Sequence, residues 1–141
     1  MLELIVTVTI TASSVLMFGY WFRYTCLLIL SATSTRDYAA DVASAHQLSF
    51  LQVQAELRQS PADLDRLKAS LDRDLAVVTR LTEWGLEDRM LKVNYRLMSV
   101  WCRVSQRFSM ETAQDALDEM SRIVSHLANS VGERAAAGAA A

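Results

Sequence analysis

Nineteen consecutive residues without a charge, Leu4 to Phe22, constrain this chain more than any other feature. Coiled as an α-helix at about 1.5 Å per residue, the run is roughly 28 Å long, close to the hydrocarbon thickness of a bilayer. From Met1 to Ala32 the only charged side chains are Glu3 and Arg23. The run closes on Phe18, Tyr20, Trp21, Phe22 and Tyr24, with Arg23 among them. Rings with one polar edge, beside an arginine able to reach toward water, suit a membrane–water boundary. A transmembrane helix within residues 1–32 is therefore expected, with those six residues at the interface.

Two other readings of the segment are weaker. A cleaved signal peptide calls for a basic leading region, whereas the first residues hold Glu3 and no lysine or arginine. Ile5 to Thr11 alternates apolar and hydroxylated residues as a strand does. A lone strand cannot satisfy its backbone in lipid, because an open sheet edge is unsupported there. Orientation rests on Arg23 and Arg36, which come after the run while no basic residue precedes it. The rule that basic flanks stay inside then places the N-terminus outside and the C-terminal portion in the cytoplasm. Cys26 and Cys102 would accordingly be reduced thiols.

Thr7, Thr11 and Ser14 share one face of the span at i, i+4, i+7. Small hydroxylated residues let a second helix approach and bond across. The alternative is that each hydroxyl bonds the carbonyl one turn back and faces lipid. Packing against a membrane partner, or a copy of the same chain, is the favoured expectation. Past Arg23, Cys26 to Leu30 stays apolar, so the helix is either long and tilted or plugged by its last turns into the next domain.

Residues 33–141 hold 28 of the 30 charged side chains, and their apolar content is that of an ordinary domain. Nothing there alternates like a strand over a useful length. The fold class expected is all-α: one transmembrane helix followed by a small antiparallel bundle of about four helices over 33–134. A low-complexity Ala/Gly tail, 135–141, closes the chain. The first bundle segment, about Asp37 to Gln59, is interrupted near Leu48–Ser49, where Ser49 and Gln52 fit a capping box. Ser60–Pro61 restarts a helix whose Leu64, Leu67, Leu71, Leu75, Val78 and Leu81 repeat at three and four; it should end near Trp84, with Gly85 as a left-handed cap.

On the next helix, Leu86 to Phe108, the residues Leu86, Met90, Val93, Leu97, Trp101, Val104 and Phe108 fall within about 80° of a helical wheel. Leu91, Tyr95, Met98 and Cys102 widen that arc to roughly 200°. So wide an apolar surface marks the expected central helix, showing outward only a basic stripe: Arg89, Lys92, Arg96, Arg103 and Arg107. That stripe is a solvated face, a contact for anionic headgroups, or a surface for an acidic protein. The last helix begins at Ser109, carries a narrow seam of Ala113, Leu117, Met120, Val124, Leu127 and Val131, and should stop at Gly132.

Catalytic signatures are missing from the sequence. Two histidines, His46 and His126, sit in separate helices, and no CxxC, HExxH or glycine-rich phosphate loop occurs. Haem held by both histidines is conceivable but unpatterned. Neither enzyme, cofactor nor metal is expected. Nucleic acid is not expected either, because the net charge is −2 and no exposed aromatics are expected between the basic residues. The resulting expectation is a non-catalytic accessory or assembly subunit of a larger membrane complex, contacting lipid and an integral membrane partner. A self-assembling membrane scaffold is the alternative, with a haem or redox protein behind it.

Overall fold

The computed structural model describes residues 1–31, 38–59, 63–81 and 85–140, and all regular structure among them is helical. Residues 1–32 form one unit and 33–141 a second. The first is a single helix, α1 (Leu2–Ser31). The second contains α2 (Ala39–His46), α3 (Phe50–Gln59), α4 (Leu64–Leu81), α5 (Leu86–Ser105) and α6 (Met110–Ala140). The all-α class holds, with five described bundle helices because the expected first segment is divided.

That division has a clear cause. α2 ends where Gln47 turns left-handed at φ 54° and donates its backbone N–H to the Ala43 carbonyl. Ser49 then starts α3, but its N–H is taken by Asp74 of α4, at 2.6 Å from Oδ2. Gln52 bonds Glu56 instead. The capping box expected between Ser49 and Gln52 is thus replaced by a cap from another helix. α4 is capped by Asp63, whose Oδ1 accepts the Arg66 N–H at 3.3 Å. The Ser60–Pro61 restart and the Trp84 terminus lie outside the described residues, as does Arg36.

The central helix is α6, which packs against α2, α3, α4 and α5. Its buried set is broader than the expected seam: Ala116, Ser121, Ile123 and Ala128 join Ala113, Leu117, Met120, Val124 and Leu127. Together they cover about half of the helix circumference at 100° per residue. Phe50, Val53, Leu67, Leu71, Val78 and Leu91 close around them from the other helices. α5 and α6 form an antiparallel hairpin about the 106–109 turn. Cys102 pairs with Ala113, Asn94 with Glu119 and Asp88 with Arg134, in opposite order along the two helices.

Both glycine caps are overturned. Gly85 has an extended backbone (φ −75°, ψ 175°) and is the N-cap of α5, its N–H bonded to Asp88 Oδ2 at 3.2 Å. Gly132 lies inside α6, which continues through the alanine-rich stretch to Ala140. A Cβ on Gly132 would stand 2.2 Å from the Tyr38 Cβ, so the glycine is there to let α2 reach α6. Asn129, one turn earlier, accepts the Tyr38 N–H at 2.6 Å and holds the start of α2 on the same helix.

Candidate functional site

Two surfaces expose many large apolar side chains, and each belongs to a separate unit. α1 has 30 residues, about 45 Å at the standard rise. It is long and apolar enough to cross a membrane. No side is polar: Leu4, Ile5, Val6, Val8, Ile10, Val15, Leu16 and Met17 are all exposed, and they occur on every face. Thr7, Thr9 and Thr11 donate their hydroxyls to the carbonyls of Glu3, Ile5 and Thr7, each at 2.8 Å. These hydroxyls therefore need no external acceptor. Thr7, Thr11 and Ser14 are all exposed, leaving a small-residue strip on one side of α1.

The expected boundary aromatics do not form one patch. Phe18 lies 6.1 Å from Trp21 and 6.4 Å from Phe22, and Tyr20 is stacked 6.4 Å from Tyr24, ring centre to ring centre. The Phe18 cluster and the Tyr20–Tyr24 pair lie on different sides of the helix, so the rings cover an arc of about 200° around it, with Arg23 on the remaining side.

On α5 the structure reverses the expected inside and outside. The buried residues are Asp88, Leu91, Asn94, Tyr95, Cys102 and Ser105. The dominant apolar stripe points away from the bundle: Leu86 is 77% exposed, Val93 50%, Leu97 48%, Val100 62%, Trp101 48%, Val104 41% and Phe108 72%. The helix thus has three sectors. One arc packs on the bundle; Leu86 to Val104 form a ridge on the far side, followed by Phe108 in the turn after the helix; the basic residues run between these on one flank. Arg89, Arg96, Arg103 and Arg107 are exposed and Lys92 is half-buried. The basic stripe is therefore not the only part of α5 that faces outward.

The basic flank borders a groove of about 690 Å³ between α4 and α5. Arg80, Lys92 and Arg96 line it together with Thr79, Ser99 and Val100. Its one carboxylate, Asp72, is already engaged: Oδ1 accepts the Tyr95 hydroxyl at 2.7 Å and Oδ2 the Lys68 ammonium at 3.0 Å. Burial and the adjacent carboxylate push the Tyr95 phenol far above its ordinary range, so Tyr95 remains a neutral donor. The groove is accordingly positive in balance.

The remaining reactive groups are structural. Cys102 is fully buried, weakly bonded through Sγ to the Ala113 carbonyl at 3.6 Å, and burial raises its thiol pKa. Cys26 and Cys102 form no disulfide. Asp74 is fully buried and caps α3; desolvation raises its pKa against the lowering effect of the Ser49 N–H. His46 is exposed at the end of α2 and His126 is half-buried on α6. Among the described residues no group of three potential metal ligands converges. No family model, curated protein or solved structure matches the chain.

Three of these features have no clear local signal in the sequence. Gly132 reads as a helix end but serves a helix crossing. Asp74 and Asp88 sit in helices rich in mixed charge, with nothing nearby to mark them as buried. The outward ridge of α5 holds the expected stripe with Val100 added and Met90 half-buried, but lacks the expected neighbour.

Proposed function

We propose that this chain is a single-pass membrane protein, crossing the bilayer through α1 with the bundle in the cytoplasm. Its role is that of a non-catalytic accessory or assembly subunit of a larger membrane complex. The observation that carries the reading is α1 itself: a 30-residue helix whose apolar side chains from Leu2 to Met17 are exposed on all sides and whose threonine hydroxyls are satisfied internally. Water disfavours such a surface and hydrocarbon does not. The arc of aromatics opposite Arg23 supports a boundary at that height, and Arg23 with Arg36 supports the cytoplasmic side for the bundle.

The strip of Thr7, Thr11 and Ser14 supports the choice of a protein partner inside the membrane. With the threonine hydroxyls turned back on their own helix, what the strip offers is close approach and dispersion contact. Photo-crosslinkers placed at those three positions, and at Ile5 and Leu16 on the opposite face for comparison, test the reading in native membranes. Adducts to one larger protein, confined to the strip, are the expected result. Adducts only to the same chain would favour a self-assembling scaffold, and adducts only to lipid at every position would end the subunit reading.

A further inference from the structure

The outward ridge of α5 and its basic flank are unlike the solvated surface of a bundle. Six large apolar residues, Leu86 to Val104, lie exposed along α5, with Phe108 exposed in the turn beyond it, and no acidic side chain occurs between residues 89 and 108. Five basic residues occur in the same interval. An apolar stripe edged with arginine and lysine, and carrying Trp and Phe, is the composition of a helix lying in a membrane interface. The α4–α5 groove adds positive charge on the same flank through Arg80, and its single carboxylate is held by Tyr95 and Lys68.

We infer that the α5 face docks onto an anionic lipid surface, with the Leu97–Trp101–Val104 part of the ridge in the acyl boundary. The basic flank and groove then meet lipid phosphates. The inference rests on α1 being a membrane span. Residues 32–38 join α1 to α2. Such a segment reaches at most about 25 Å in any conformation, so a spanning α1 keeps the bundle close to headgroups at high effective concentration. Charge together with this tether selects lipid over an acidic protein, because only the leaflet is held within reach of the cations by the chain itself. An inward-facing leaflet is negatively charged and attracts each juxtamembrane cation, whereas an apolar protein groove would gain nothing from five of them.

The full chain in lipid nanodiscs tests this with its own tryptophans. A variant with Trp21→Phe and Trp84→Phe reports from Trp101 alone; one with Trp84→Phe and Trp101→Phe reports from Trp21. Discs are made from phosphatidylcholine, with or without phosphatidylglycerol, using chains brominated as quenchers. Trp101 emission should shift to the blue and be quenched only when phosphatidylglycerol is present. Half-molar salt, or Arg96→Glu with Arg103→Glu, should reverse both effects, with circular dichroism checking that the bundle remains folded. Trp101 unquenched in anionic discs, or equally quenched in both lipids, overturns the inference. A blue shift without lipid quenching also overturns it, in favour of a protein covering the ridge. Trp21 separates the two readings: quenched Trp21 beside unquenched Trp101 sinks only the docking face, whereas unquenched Trp21 sinks the span.

Discussion

Replacing Gly132 by alanine should destabilise the bundle, although helix propensity alone argues the opposite. An interior helical glycine is worse than alanine by about 0.5–1 kcal/mol, and Gly132 is an interior residue of α6. The added Cβ, however, would stand 2.2 Å from Tyr38 Cβ, 2.9 Å from its Cγ and 3.3 Å from Val42 Cγ2. Carbon atoms in contact prefer roughly 3.5–4.0 Å, so α2 must withdraw by more than about 1 Å. The nearest atom is Cβ, which no rotamer can move. Overpacking of this kind costs about 1–3 kcal/mol, and the 2.6 Å bond from Tyr38 N–H to Asn129 is disturbed as well. The net expectation is a loss of roughly 1–2 kcal/mol, lowering the melting temperature by about 4–8 °C per kcal/mol for a domain near this size. Thermal unfolding of the full chain in mild detergent, monitored by helical circular dichroism, reads it. Gly138→Ala on the same helix meets no atom within 4 Å and should be neutral or stabilising. Tyr38→Gly removes the opposing Cβ, so in that background Gly132→Ala should lose most of its cost, whereas Tyr38→Ala should not rescue it. If Gly132→Ala proves as stabilising as Gly138→Ala, α2 does not sit on α6 as described.

Three further outcomes arise from buried polar groups and one strained residue. Asp74 has a raised pKa in the folded chain, so the native state holds its proton more tightly than the unfolded state does. Its contribution to stability is full below the unfolded value near about 3.9 and is lost as pH rises through the folded value. Wild type minus Asp74→Asn, measured by denaturant melts across that range, should therefore decline with increasing pH; a difference that grows would contradict the burial. Gln47→Gly should stabilise by up to ~1 kcal/mol because its left-handed φ of 54° penalises a Cβ, while Gln47→Val should destabilise by a similar amount. Denaturant midpoints of the two variants check this, and equal midpoints would remove the strain. Asp88 is buried with 2.7 Å to Arg134 and 3.2 Å to the Gly85 N–H. A double-mutant cycle of Asp88→Asn and Arg134→Met should yield coupling of about 1–2 kcal/mol, and a value near zero would detach the end of α6 from the start of α5.

Much of the architecture is legible in the sequence because it depends on local patterns. The uncharged run of α1, the three-and-four spacing of Leu64, Leu67 and Leu71, and Ser109 ahead of α6 each act within a few residues. Thr112 N–H indeed approaches Ser109 Oγ at 3.4 Å. The hidden part depends on partners distant in sequence. Ser49 finds its cap 25 residues away, and Gly132 serves a tyrosine on another helix. The reversal at α5 is the most instructive. A helical wheel shows that Leu86, Val93, Leu97 and Val104 form one stripe and Leu91, Tyr95 and Cys102 another. It does not show which stripe this chain covers. The stripe with fewer large residues is the buried one, because α5 brings polar anchors on that side: Asn94 donates to Glu119, Tyr95 to Asp72 and Asp88 pairs with Arg134. A buried polar group is costly without partners, so these three bonds favour the way α5 faces, although the Ser105 hydroxyl on the same side is buried without one.

That orientation also gives the bundle surface a polarity. The α4–α5 edge presents Arg80, Arg96, Arg103 and Arg107, while the outer face of α6 presents Glu111 and Asp115. The overall charge of −2 therefore conceals two surfaces of opposite sign. Lying beside an anionic leaflet, such a body is turned by the field so that its basic edge faces the lipid and its acidic face turns away. The ridge of Leu97, Trp101 and Val104 is next to the basic edge, so the orientation favoured by charge also brings apolar side chains toward the acyl boundary. Were the ridge instead a seam for a second α5 related by an antiparallel twofold, each basic flank would face its own copy. Like charges across such a seam oppose pairing, whereas an anionic surface relieves the same repulsion.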